Sequence, residues 1–224
     1  MQQASAVLQR THADGKFLRF IFRTPILQPG DDLLRLIEQK LMAALSPGDI
    51  IIISSRAVAA CQGQLLPVSS IEIQGPATRL AKWWQRLRPT DLLAHPVTMQ
   101  KAIDLVGLWP MVAATVWRAC GFGNWRLLKV QPVVLLRLGE AADLPVYQGQ
   151  LILPPRDAAE VAHSIWQATG YRVAVVSAGP QGRVRLVGAS PGVNPRLLAG
   201  SLLDNPLGDG CQQTPLAILR QVWK

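Results

Sequence analysis

Several things are scarce in this sequence at once. Only three cysteines occur in 224 residues, Cys61, Cys120 and Cys211, and no two form a Cys-x-x-Cys pair. The three histidines, His12, His95 and His163, do not fall at ligand spacing with them. This argues against a zinc ligand set or disulfide framework and makes a reducing compartment the default. Charge is sparse at 17% of residues, and acid is scarcer than base: 14 Asp and Glu against 23 Lys and Arg, a net +9. Such an excess concentrates anions (nucleotides, polyanionic cofactors, nucleic acid, acidic lipid) without choosing among them. Long hydrophobic runs are missing too. The uncharged stretch from Leu105 to Trp117 is too short for a bilayer and contains Pro110. The first 16 residues hold no apolar run of signal-peptide length. The expectation is a cytoplasmic protein with no membrane partner.

What is present is apolar. At 49% hydrophobic residues the chain can bury a sizeable core, and its length suits one large domain or two intertwined small parts. Lys16 to Phe22 reads as a strand. After the Pro29-Gly30 turn, Asp31 is a good N-cap and Asp32 a second carboxylate at the positive end of a helix. Leu33, Leu34, Ile37, Leu41, Ala44 and Leu45 then follow at helical spacing. Ser46-Pro47-Gly48-Asp49 stops this helix. Ile50 to Ile53 is an unbroken β-branched run, the signature of a strand covered on both faces. It ends in Ser54-Ser55-Arg56, read as a polar turn, and Cys61-Gln62-Gly63-Gln64 leads to a strand over Leu65 to Val68.

The spacing predicts an amphipathic helix over Pro76 to Leu87 and a mostly helical middle to about Trp117. Strands follow at Pro132 to Leu138 and Gln150 to Leu153. A helix spans Asp157 to Thr169, closed by Gly170. Strands at Arg172 to Val176 and Arg183 to Val187 come next, and the tail from Thr214 is predicted helical. Strands and helices mix without strict βαβ alternation, so the expected class is α+β with mixed or antiparallel sheets and packed helices. Most of the seven tryptophans are expected in the core or an interface.

Two local constellations carry chemistry. Ser54-Ser55-Arg56 offers two hydroxyls and a cation at a strand end, a group able to hold phosphate. A plain surface turn explains the same residues. Lys82-Trp83-Trp84-Gln85-Arg86-Leu87-Arg88 mixes bases with aromatics, as a single-strand nucleic-acid surface does. An amphipathic helix with snorkelling bases accounts for it as well, and no RNP, KH or helix-turn-helix signature accompanies it. Asp143, Asp204 and Asp209 lie in loops, where oxygen ligands for a hard cation or solvated acids are both admissible.

The order of the pieces adds a resemblance. Pro25-Ile26-Leu27-Gln28-Pro29-Gly30-Asp31-Asp32-Leu33, a helix, Gly48-Asp49-Ile50-Ile51-Ile52-Ile53-Ser54-Ser55-Arg56-Ala57-Val58 and Gln62-Gly63-Gln64 resemble the start of the γ-glutamyl ligases of the deazaflavin coenzyme F-420. Leu151-Ile152-Leu153-Pro154-Pro155-Arg156-Asp157, a helix, Thr169-Gly170 and Val173-Ala174-Val175-Val176-Ser177 are similar to a later segment of that family. Leu203-Asp204-Asn205-Pro206-Leu207-Gly208 is similar, more loosely, to its last motif. The resemblance implies one ligase-like domain over 1–224, in two intertwined parts, with an inserted helical part at about 76–125. It also implies a homodimer that binds GTP with Mg or Mn. In that family a substrate carboxylate is phosphorylated and the amino group of L-glutamate displaces phosphate to form an amide. By position, Pro25, Ile26, Leu27, Ser54, Ser55 and Arg56 would line the nucleotide site.

The departures bear on catalysis. The family's lysine after the two hydroxyl residues is Arg56, a planar fork where a compact charge is usual. Its E-G-R is Gln62-Gly63-Gln64. Its metal-binding D-T falls at Ala178-Gly179 or Gly179-Pro180, with no carboxylate. The other metal motif is barely visible; Ala141-Ala142-Asp143 is its nearest match and leaves Asp143 as the metal ligand. The late family aspartate falls near Arg220. The reading is a divergent γ-glutamyl ligase. The alternatives are an inactive relative that binds a nucleotide or other phosphorylated small molecule, or serves as a scaffold, with no cofactor, and, less favoured, a nucleic-acid binder.

Overall fold

The computed structural model describes residues 8–11, 17–121, 137–138, 147–178, 184–202, 207 and 213–222. Two compact units divide the chain: 1–64 together with 155–224, and 65–154. Asp143, Asp204 and Asp209, residues 179–183, residues 132–136 of an expected strand and Cys211 lie outside the described residues.

The first unit is built on a six-stranded sheet. Its strands are β1 (Leu8–Thr11), β2 (Phe17–Phe22), β3 (Ile50–Ser54), β7 (Arg172–Ala178), β8 (Val184–Ala189) and β9 (Leu216–Gln221), in the order β1-β2-β9-β3-β7-β8. Only β3 and β7 pair in parallel; the other pairs are antiparallel. The class is α+β with a mixed sheet, as the lack of βαβ alternation predicted. β3 is buried along its whole length, and Ile51, Ile52 and Ile53 are inaccessible. Its even face joins Ile21, Ala174, Val176, Ala217 and Leu219 in a core closed by Leu198, Leu202 and Leu207.

Helix α1 (Leu33–Leu41) buries Leu33, Ile37 and Leu41, one position per turn, and then tightens into a 3-10 turn at Met42–Ala44. Its cap is Asp32 and not Asp31: the Arg35 N–H donates to the Asp32 carboxylate at 3.1 Å. Asp31 instead accepts from the Gln28 N–H at 2.7 Å and holds the turn before the helix. Helix α6 (Ala158–Thr169) ends at Gly170, which adopts φ 76° as a left-handed terminator. It packs so closely on β8 that a Cβ on Gly188 would lie 2.4 Å from the Ala158 carbonyl carbon. The short helix α7 (Pro195–Ser201) supplies Leu198 to the core.

The tail from Thr214 corrects the sequence reading. It is not helical. Leu216 to Leu219 form β9, buried between β2 and β3 and hydrogen-bonded to both. Leucine and alanine suit a helix in isolation, but two open strand edges needed filling, and tertiary pairing overrides propensity. β1 is a further strand absent from that reading.

The second unit packs α3 (Gly75–Leu87), α4 (Pro96–Val106) and α5 (Leu108–Ala119) around Trp84, with Leu151 entering from a three-stranded sheet. That sheet orders β4 (Leu65–Pro67), β6 (Gln150–Ile152) and β5 (Arg137–Leu138), all antiparallel. On α3, Ala77, Leu80, Ala81 and Trp84 face inward while Lys82, Trp83 and Arg86 face out. Core burial is thus the explanation for Trp84 but not for Trp83 and Trp109, which are 49% and 78% exposed. Among the described residues, no helix is long and apolar enough to cross a membrane.

One ion pair anchors the amino end of β3. Arg220 donates from Nε and Nη2 to the two carboxylate oxygens of buried Asp49 at 2.9 and 2.8 Å, and to the Ala44 carbonyl at 2.8 Å. Its guanidinium also lies 4.8 Å from the centre of the Phe20 ring. Arg220→Met should cost about 2–3 kcal/mol in urea unfolding. This falls below the range for a fully buried pair because Arg220 is partly exposed. A loss under about 0.5 kcal/mol, the level of an ordinary surface change, would show that Asp49 is satisfied without it.

Candidate functional site at one edge of the sheet

β2, β3 and β7 run the same way through the sheet, because β9 lies antiparallel between β2 and β3 and β7 is parallel to β3. Their carboxyl ends therefore emerge at one edge. Phe22 pairs with Leu216, Leu216 with Ile53, and Ser54 with Val176. The exits are tied together: the Thr24 N–H donates to the Gln213 carbonyl at 2.9 Å, and the Ser54 N–H to the Pro215 carbonyl at 2.8 Å.

This brings the candidate nucleotide residues to one edge from two directions. Pro25, Ile26 and Leu27 leave it from β2, and Ser54, Ser55 and Arg56 from β3. Pro25, Ile26 and Leu27 line an open cleft of about 620 Å³ together with Asp31, Asp32, Arg35 and Gln39. Ser54, Ser55 and Arg56 are not among its lining residues. The strand-end turn expected there is also corrected. Ser55 opens helix α2 (Ser55–Cys61) directly, and Ser54 and Ser55 are 7% and 4% exposed, not solvent-facing hydroxyls. The cause lies in the next four residues: Ala57, Val58, Ala59 and Ala60 are all buried, and a helix is what carries them into the core.

Three separated motifs meet just beyond α2. The Gly30 N–H donates to the Cys61 carbonyl at 2.9 Å, and Gly63, at φ 67°, packs with its Cβ position 3.5 Å from Pro29. The Gln62 side chain accepts from the Arg156 N–H at 2.7 Å and donates to the Arg156 carbonyl at 2.8 Å. The amide does both at once; an ionised glutamate at 62 would leave the Arg156 carbonyl without this donor. Gln62 is therefore a latch between the α2 turn and the segment leading into α6. Sequence reasoning noted its lost charge and missed this role.

Other parts do not converge. Arg220 stands at the amino end of β3, about 15 Å of strand from Ser54, and serves the Asp49 pair. It cannot share the edge site. Conversely, Arg23, Thr24 and Arg185 sit at the edge and were not singled out from sequence, while Ser177 and Thr214 were noted only within family-like segments. Ser177 and Arg185 are register partners on β7 and β8. Among the described residues, no three His, Cys, Asp or Glu are grouped to hold a metal ion.

An edge rich in arginine and hydroxyl groups is suited to an anionic ligand. A sequence model of the F420-0:gamma-glutamyl ligase family matches residues 21–194, from the end of β2 through β8. The chain belongs to this family of γ-glutamyl ligases. No curated protein matches it as an individual relative.

The Cys61 thiol gives a reporter for this region. Burial, and secondly the negative charge of Asp31, push its pKa up to about 11. At pH 8 it stays protonated and should alkylate much more slowly than exposed Cys120, its rate climbing with pH toward about 11. Asp31→Asn should speed it. Peptide mapping after brief iodoacetamide treatment reads both sites; equal labelling at pH 8 would contradict the placement.

Proposed function

We propose that this chain is a divergent γ-glutamyl ligase that binds GTP, or a closely related nucleotide, along the carboxyl-end edge of its sheet. There it joins a substrate carboxylate to the amino group of L-glutamate. The observation that carries the reading is the convergence of 25–27 and 54–56 on one edge in a member of the ligase family. In this reaction the γ-phosphoryl group passes to the substrate carboxylate, giving an acyl phosphate and GDP. The glutamate amine attacks the acyl carbon, the C–O bond to phosphate breaks, and phosphate leaves as the amide forms. The chain's own contribution is to position the reactants and to offset phosphate charge, the main tasks of a protein in phosphoryl transfer. Arg56 holds phosphate, and Ser54 and Ser55 shape the strand exit beside it. The protein acts as a cytoplasmic homodimer, a reading that rests on the family resemblance.

A divalent metal accompanies GTP in that family, and the residues described here do not fit one. Hard cations need several oxygen ligands, usually carboxylates. The segments that form the edge supply hydroxyls and arginines. No step is assigned to Mg or Mn, and Asp143 lies outside the described residues. This donor set favours a second reading: a relative that keeps nucleotide or anion binding and has lost amide synthesis.

Two measurements decide. Titration calorimetry should show GTP binding that Arg56→Gln weakens by about tenfold or more, the worth of one charge-assisted phosphate contact. If GTP, GDP, ATP and tripolyphosphate all fail to bind, the nucleotide reading falls. Incubation with GTP, L-glutamate, manganese and coenzyme F-420-0 is then followed by mass spectrometry. Product heavier by one glutamyl residue supports the ligase; its absence alongside intact GTP binding supports the non-catalytic relative.

A further inference from the structure

The edge has an electrostatic property that its separate motifs conceal. The strands that form it carry no acid. Apart from Asp49 at the opposite end of β3, the acids nearest in sequence are Asp31 and Asp32, which line the cleft beside Pro25, Ile26 and Leu27, and Asp204 and Asp209, which precede β9. There is no Asp or Glu between Asp14 and Asp31, between Asp49 and Glu72, between Glu160 and Asp204, or after Asp209. Those spans contain β2, β3, β7, β8 and β9 with their exits at the edge. Arginine, in contrast, recurs at the exits: Arg23 directly after β2, Arg56 in the first turn of α2, and Arg185 at the start of β8. With strands about 4.8 Å apart, β8 and β3 are separated by about 10 Å, and β3 and β2 by another 10 Å. A triphosphate laid across the strand ends could not move far from one of these cations.

β7 is where the difference from the family matters most. The pair of residues that would provide a metal-binding aspartate and threonine falls after Ser177, at Ala178-Gly179 or the next position. Beside it, in register with half-buried Ser177, stands exposed Arg185 of β8. A guanidinium next to a divalent cation site would oppose the cation. The same guanidinium offers a phosphate a two-pronged, charge-assisted grip.

We propose that Arg185 and Ser177, on β8 and β7, form a phosphate-binding subsite in which arginine takes over the charge neutralisation that a metal ion would supply. The ligand is the polyphosphate of a nucleotide, held as the free anion. The inference rests on the nucleotide-binding reading above but adds a requirement of its own: binding without divalent metal, dependent on Arg185. Arg185 also suits this role by position, since β8 is an edge strand of the sheet and its replacement disturbs no second ladder.

The experiment uses the full chain at low ionic strength, where exposed charges are least screened. GTP and inorganic tripolyphosphate are titrated calorimetrically in EDTA and again in magnesium, with wild type, Arg185→Gln, Arg185→Lys and, as a control on the second unit's surface, Arg79→Gln. The expected result is binding in EDTA within about threefold of that in magnesium. Arg185→Gln should weaken it by about tenfold or more, Arg185→Lys less, and Arg79→Gln not measurably. GTP binding that appears only with magnesium and is unchanged in Arg185→Gln would overturn the subsite while leaving the nucleotide reading standing. Failure of every phosphate compound to bind in either condition would overturn both. Circular dichroism of each variant guards against loss of fold, and Arg185→Lys keeps the test sharp if the glutamine variant unfolds.

Discussion

The structure of the first unit depends on how completely one strand is buried. Ile50 to Ser54 is covered on both faces, so every backbone N–H and C=O along it must find a partner at its two edges. β7 satisfies one edge in parallel and β9 the other in antiparallel. The two partners come from far along the chain, after the whole 65–154 unit has been traversed. Burying this strand is thus what closes the chain's two distant parts into one sheet. It also sets direction: with β9 inserted between β2 and β3, the strands β2, β3 and β7 all point their carboxyl ends at the same edge, and the candidate site exists because of that.

Charge is distributed along the strand axis in a way that few residues suffice to establish. At the amino end of β3, buried Asp49 is neutralised by Arg220, which also caps the Ala44 carbonyl and lies over Phe20. At the carboxyl end, Arg23, Arg56 and Arg185 come from three separate segments, with Asp31 and Asp32 lining the neighbouring cleft. One end of the sheet is closed by a satisfied ion pair, and the other gathers arginines from distant parts of the chain. In a chain with so few charged residues, a small number of arginines sets this local field.

The latch at Gln62 shows how divergence can preserve architecture. Where the family pattern carries charge at 62 and 64, this chain has amides, and the Gln62 amide joins the α2 turn to Arg156 by two hydrogen bonds, one in each direction. The turn around Pro29, Gly30, Cys61 and Gly63 is held by backbone contacts in addition. The segments quoted from sequence as separate motifs are neighbours in space, and the contact that joins them is one a charged side chain could not reproduce in full.

Several features were legible in the residues alone. The β-branched run at 50–53 announced a strand buried on both faces, and the spacing of Leu33, Ile37 and Leu41 announced the face of α1. Gly170 marked the end of α6, and ordered motifs indicated the ligase family. These depend on local propensity and periodicity, which act over a few residues. The tail at 216–221 was misread because leucine and alanine say helix when alone, and only the vacant edges of β2 and β3 make it a strand. The helix after Ser54 was missed because four small apolar residues need a core to enter before their period matters. Arg185 passed unnoticed, and Ser177 was noted only as the end of a strand motif, for the same reason: nothing in their spacing links them to Ser54 or Pro25. By itself the sequence determined most of the elements, the family and a surplus of base. Tertiary pairing decided the remaining elements, which strand ends share an edge and with them which arginines reach it, because register between distant strands is set by burial and backbone pairing and leaves no local trace.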